Sequence, residues 1–213
     1  MQTFTNTAGS VIVDQLIRAI QENKQYLSDI DGLIGDGDHG INMNKGFTMC
    51  REELDKNPGD LVHGLKVLSK ILMMKIGGSM GPLYGKFFKA IALSLEGKEE
   101  IGINEMGEAL EAAVDAIASI SPAKVGDKTL IDTLIPALTA YQKAQAENKS
   151  FTEALEAMKT AAIEGRDSTK VMVAKLGRAS RLGERSRGVL DAGATSCCLI
   201  LETIADEANK LLK

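Results

Sequence analysis

The chain has 213 residues, enough for one domain with a sizeable core, and folding should bury roughly 70% of the surface its unfolded form exposes. With 44% hydrophobic and 25% charged residues the composition excludes disorder and fibres, and 4% aromatics without tryptophan favours helices over a sheet. A net charge of −4 excludes a global pull towards nucleic acid or anionic membrane, so any polyanion must be held by a local device.

Val11, Ile12, Leu16, Ile17 and Ile20 recur at helical spacing and predict a first helix from near Thr7 to Tyr26. From Ser28 to Gly40 the period stops, and the Gly- and Asp-dense stretch SDIDGLIGDGDHG predicts a loop. Further helices are predicted over Ile41–Leu54, Asp60–Lys75 and Ser79–Leu95, the last with Ser79 as N-cap and Pro82 in its first turn. A fifth runs from Asn104 to Ile120 and a sixth from Asp127 to Ala146, where Pro136 calls for a kink or a rearranged hydrogen bond. Ser150 and Glu153 form a capping-box pattern that opens a seventh helix reaching Leu176. A basic, glycine-punctuated loop then spans 177–193, and an eighth helix runs from Ala194 to Leu212. The short connections imply antiparallel neighbours in an up-down bundle, all-α and undivided over 1–213.

Three cysteines without CxxC spacing (Cys50, Cys197, Cys198), no secretory leader and no apolar run of the roughly 20 residues a bilayer needs predict a soluble cytoplasmic protein. The cysteine pair reads as core.

Asp29, Asp31, Asp36, Asp38 and His39 crowd into one short stretch. Two like charges 4 Å apart at an effective dielectric of 20 repel by about 4 kcal/mol, so a cation is expected among them. Hard oxygen donors without thiolates select Mg²⁺, Mn²⁺ or Ca²⁺ over zinc. The plain alternative is a solvated acidic turn in which Asp36 and Asp38 cap a helix. An EF-hand fails, because counting from Asp29 puts Leu33 and Gly40 where ligands belong. Gly35 to Gly40 spells GxGxxG, but no strand precedes it and its two carboxylates would repel a pyrophosphate unless a divalent cation lay between them.

Gly77-Gly78-Ser79-Met80-Gly81 opens a predicted helix, where free amides favour an anion, although it reads equally as an ordinary helix start. Neither Gly81 to Phe87 nor Gly126 to Thr129 completes a P-loop. Arg178, Arg181, Arg185 and Arg187 put local positive charge in an acidic chain, suited to phosphate, to an RNA-contacting loop or simply solvated. With no aromatics among them to stack bases, single-stranded nucleic acid is not expected. Two histidines are too few for zinc, and His63 reads as structural.

Four blocks, IGDGDHGINMNKGF at 34–47, GGSMGPLYGKFF at 77–88, GDKTLIDTLIPAL at 126–138 and GRASRLGERSRGVLDAGATS at 177–196, give the chain its resemblance to the nucleotide-binding L subunits of dihydroxyacetone kinases. The resemblance covers essentially the whole length. It implies an eight-helix antiparallel up-down barrel with a nucleotide site at one end, holding ADP or ATP with two Mg²⁺. By match, Asp31, Asp36 and Asp38 are the metal ligands, and Asp29 is left outside the motif. The turn His39, Gly40, Ile41, Asn42 and the residues Gly78, Ser79 and Met80 correspond to nucleotide contacts, with Thr129 and Leu130 at the base or ribose. Arg178, with the turn Asp191, Ala192, Gly193, matches a lid, and Arg178 is the expected catalytic cation.

No dihydroxyacetone-binding block accompanies these motifs, so the chain resembles the stand-alone, phosphotransferase-system class. That class implies bound ADP rephosphorylated by a phosphohistidine-carrying M subunit and a dihydroxyacetone-binding K subunit as acceptor. A transcription regulator and a homodimer are further partners the resemblance admits, nucleic acid and membrane are not. The rival readings are an ATP-dependent subunit serving another acceptor and a module that reports nucleotide state.

Overall fold

A computed structural model of the chain describes residues 2–213. It is mostly helical, with nine α-helices among the described residues: α1 (Ser10–Glu22), α2 (Lys24–Ile34), α3 (His39–Leu54), α4 (Leu61–Lys75), α5 (Met80–Leu95), α6 (Ile103–Ala118), α7 (Ile131–Ala146), α8 (Phe151–Ser168) and α9 (Ala192–Leu211). Two short strands, β1 (Thr3–Thr5) and β2 (Glu100–Gly102), pair antiparallel with Phe4 opposite Ile101. No described helix is long and apolar enough to cross a membrane.

The helices bury their apolar stripes against one another in a closed order of neighbours. α3 packs on α4, α4 on α5, and so on in sequence to α9, which returns to α1, and α1 meets α3. Leu16, Ile17, Leu68, Leu72, Phe88, Leu134, Leu155 and Leu201 share the resulting core. Cys50, Cys197 and Cys198 lie in it as free thiols.

The count of eight helices is corrected to nine because the expected first helix is two. Asn23 turns the chain at φ −98°, ψ 8°, and its side-chain amide donates to the Ala19 carbonyl, competing with the backbone ladder. α2 then continues through Ile34, so Asp31 stands on a helix and not on a loop. Leu27, Ile30 and Ile34 form the buried face that drives this, a period hidden by the glycines and aspartates around it.

α7 begins at Ile131 and not at Asp127, because Lys128 adopts a left-handed φ of 61°. It runs on through Pro136. α8 opens on the capping box of Ser150 and Glu153, as the sequence predicts, but stops at Ser168 and not at Leu176. There the Ser168 and Thr169 hydroxyls donate back to the Gly165 and Arg166 carbonyls and the chain tightens into a 3₁₀ turn over Thr169–Val171. The basic loop is likewise partly ordered, as 3₁₀ turns over Ala179–Ser186 bent at Gly183.

Candidate functional site

Asp31, on the last turn of α2, and Asp36 and Asp38, in the link to α3, bring one carboxylate oxygen each to within 4.8 Å of one another. Two glycines make this possible. A Cβ at Gly35 would sit 2.3 Å from an Asp31 carboxylate oxygen, and Gly37 takes a φ of +76°. A third glycine, Gly40, lets the first turn of α3 press on α2: a Cβ there would lie 2.1 Å from the Lys24 carbonyl oxygen.

Asp38 occupies the N-cap position of α3 without making a cap hydrogen bond. The Asp38 carboxylate is thus exposed at the cluster and not engaged in capping α3, the role the solvated-turn alternative gave it. Burial, followed by the charges of Asp36 and Asp31, raises the Asp38 pKa against the opposing pull of Arg178. All three donors are hard oxygens with neither thiolate nor imidazole among them, and their convergence fits Mg²⁺.

The cluster lines part of a cleft of about 430 Å³. Ile34, Met80, Leu83, Ile117 and Leu130 give the cleft an apolar wall. Gly78 and Ser79 line it from the start of α5, where Gly78 has a φ of +72° and the Gly77 and Gly78 backbone faces open space. Ser79 stands at the N-cap position of α5 that the sequence predicts but makes no cap hydrogen bond, so its hydroxyl is not committed to α5.

Thr129 and Leu130 line the cleft from the turn before α7. The buried Asp132 shapes that turn, one oxygen accepting from the Gly126 amide at 2.5 Å and the other from the Thr129 amide at 2.7 Å. Asp191 caps α9 by accepting from the Ala194 amide at 2.7 Å, and burial lifts its carboxyl to about 7. Arg178 reaches from the basic segment to within 2.5 Å of Asp36, a pair 63% and 35% exposed.

His39 turns its ring inward. Nε2 lies 2.9 Å from the Ser196 hydroxyl, which is 2.6 Å from the Tyr84 hydroxyl, and both hydroxyls donate to the Gly193 carbonyl or to each other. Burial lowers His39 to about 4, so the imidazole is neutral near pH 7. The network ties the starts of α3 and α9 to α5.

The cleft thus gathers Asp31, Asp36, Asp38, His39, Asn42, Gly78, Ser79, Met80, Thr129, Leu130, Arg178, Asp191, Ala192 and Gly193. Gly40 and Ile41 do not line it: Gly40 is the α2 contact, and Ile41 is 52% exposed. Asp29 is exposed and accepts from Gln25. The histidine read as structural, His63, bonds the Asn57 carbonyl far from the cleft lining. Tyr84, Ser196, Lys128 and Asp132 were not singled out from sequence, and only the GDKT block hinted at the last two.

The DAK2 domain model matches residues 33–206, and the chain belongs to the DAK2 domain family. Among its relatives, the PEP-dependent dihydroxyacetone kinase ADP-binding subunit DhaL of Escherichia coli (strain K12) is 37% identical over 190 residues, covering 87% of this chain and 89% of that protein. The PTS-dependent dihydroxyacetone kinase ADP-binding subunit DhaL of Lactococcus lactis (strain IL1403) is 36% identical over 188 residues, 88% of this chain and 90% of that one. Among solved structures, the native dihydroxyacetone kinase of C. freundii superposes with a TM-score of 0.71 at 25% identity over 95% of this chain. The chain spans 35% of that longer kinase. The same kinase in complex with AMP-PNP and Mg²⁺ gives a TM-score of 0.66 at 24% identity, over 93% of this chain and 33% of the kinase, a likeness of fold.

Proposed function

We propose that this chain is the ADP-binding subunit of a phosphoenolpyruvate-dependent dihydroxyacetone kinase, working with a K subunit and a phosphohistidine-carrying M subunit. The observation that carries this reading is the convergence of Asp31, Asp36 and Asp38 within 4.8 Å, opposite Arg178, in the lining of a cleft with an apolar wall. Such a cleft suits an adenine, with carboxylates and arginine left for the phosphate end. The relatives over nine-tenths of their length carry the same function in their names.

ADP bound here with two Mg²⁺ would supply the phosphoryl relay between the M subunit's phosphohistidine and the dihydroxyacetone on the K subunit. The chain's own part is positioning and charge. Asp31, Asp36 and Asp38 hold the metals. His39 and Asn42, at the two ends of the first turn of α3, with Gly78, Ser79 and Met80, hold phosphates, and Thr129 and Leu130 hold the base or ribose. The Asp191 to Gly193 turn belongs to the lid, and Arg178 closes over the transferring phosphoryl. No nucleophile from this chain is required.

In this reading residues 1–213 form one domain. The ring of α1 and α3 to α9 is an antiparallel up-down barrel of eight helices, with α2 carrying Asp31 to its open end. A cytoplasmic location fits the three free buried thiols.

Native mass spectrometry of the purified protein, followed by titration calorimetry with ADP in the presence of Mg²⁺ or EDTA, tests the reading. Co-purifying ADP and Mg²⁺-dependent affinity are expected. An empty site with fast ATP exchange would favour the ATP-dependent rival, and no nucleotide binding would overturn both.

A further inference from the structure

Lys128 is 1% exposed, yet its ammonium hydrogen-bonds to no carboxylate. Its three N–H donors go instead to backbone carbonyls: Ser186 at 2.5 Å, Val189 at 2.6 Å and Met172 at 3.3 Å. These acceptors sit on both stems of the segment that carries Arg178. The stems are fastened to each other, by the Gly188 amide donating to Lys170, the Ala174 amide to the Ser186 hydroxyl, and Arg187 to the Val171 carbonyl. The fastened segment is joined to the turn before α7 by Lys128, which reaches both stems, and on the first stem alone by Lys175, whose amide donates to the Asp127 carbonyl and whose ammonium pairs with the Asp127 carboxylate at 3.2 Å. The backbone of Lys128 is itself locked: its left-handed φ of 61° lies inside the turn that Asp132 closes through Gly126 and Thr129.

We propose that Lys128 is a positioning residue for phosphoryl transfer: by clamping both stems of the arginine segment to the turn bearing Thr129 and Leu130, it sets where Arg178 stands over the acidic cluster. A buried ammonium hydrogen-bonded to carbonyls alone is costly to desolvate, a cost that the nearby Asp191 charge only partly offsets, and what it secures in return is the fixed geometry of the three carbonyls. Lys128 acts through Arg178 and does not touch the transferring group. Contact with the base or ribose at Thr129 and Leu130 and the placement of Arg178 are thereby coupled through one side chain.

This rests on the nucleotide-binding reading above, and a double-mutant cycle separates the two. Lys128→Met, Arg178→Ala and the double variant are compared with the wild type in the reconstituted kinase for kcat and KM, alongside ADP affinity by calorimetry and tryptic cleavage within 178–187. Lys128→Met is expected to lower kcat at least about tenfold in the wild-type background and less than about threefold in Arg178→Ala. ADP affinity should change little, and cleavage at Arg178, Arg181 or Arg185 should accelerate with or without nucleotide. Equal losses in both backgrounds, or unchanged cleavage, would overturn the proposal while leaving nucleotide binding intact. If Lys128→Met is unfolded by circular dichroism, Lys128→Gln takes its place in the cycle. Failure of both to fold also overturns it, since a residue that only places Arg178 is dispensable for folding. Wild-type protein that binds no ADP would instead sink the reading beneath.

Discussion

Arg178 donates to Asp36 at 2.5 Å, and this pair, both of whose members line the cleft, joins the basic segment to the acidic link between α2 and α3. Both side chains are partly solvated, so the bond itself is worth no more than about 1 kcal/mol. Its interest is positional: a guanidinium that reaches the carboxylates also reaches whatever anion they hold through a cation. Arg178→Ala is therefore expected to lower kcat for transfer by about 100-fold or more while weakening ADP binding less than about tenfold. Steady-state kinetics beside calorimetry check this; equal losses would mean that Arg178 binds ground and transition states alike.

Removing one carboxylate should abolish transfer and spare the fold. Asp36→Ala and Asp38→Ala relieve mutual repulsion at exposed positions, so unfolding free energy should stay within about 0.5 kcal/mol of wild type. Turnover in the reconstituted kinase should fall by at least about 100-fold. Unaltered turnover would remove these residues from the metal site.

The Asp191 carboxyl makes a prediction in pH. Burial raises it from 3.8 to about 7, against the Ala194 amide and the Lys128 ammonium, and with Asp132 and Asp31 adding negative charge. Between those values the folded chain retains a proton that the unfolded chain has lost. The contribution to stability is thus whole below about pH 4, declines as the pH rises to about 7, and is level above. Asp191→Asn, which keeps a capping oxygen, should be more stable than wild type at pH 8 by on the order of 1–3 kcal/mol. The gap should close towards pH 4, as urea midpoints at the two values would record.

Gly40→Ala probes the seam between α2 and α3. Its methyl would lie 2.1 Å from the Lys24 carbonyl oxygen, and backbone cannot yield as a side chain does. A loss of about 1–3 kcal/mol in urea unfolding is expected, with weaker Mg²⁺-dependent ADP binding as Asp31 and Asp38 move apart.

What the sequence disclosed was what lies close together along it. The capping box at Ser150 and Glu153 spans one turn, and the acidic residues follow one another from the last turn of α2 into the link before α3, so residue type and spacing were enough. The second helix was missed where local signals conflicted: Gly32 and the aspartates spoke for a loop, while Leu27, Ile30 and Ile34 carried the weaker helical period that burial decided. Tyr84, Ser196 and Lys128 had no local signature, since a hydroxyl or an amine acquires its task only from partners that the fold delivers. The paired strands β1 and β2 were beyond reach for the same reason, being three residues each and held by one another.

Pro136 gives α7 a further property. Lacking an N–H, it leaves the Asp132 carbonyl without the donor one turn ahead, and Gly165 of α8 packs against that oxygen so closely that a Cβ would lie 2.3 Å away. Asp132 is thus gripped at two ends, its carbonyl against α8 and its carboxylate in the turn before α7. The proline and the glycine are consequently bound to one mutational fate: a methyl at 165 would push on Asp132 and reach Thr129, a cleft residue that neither of them touches.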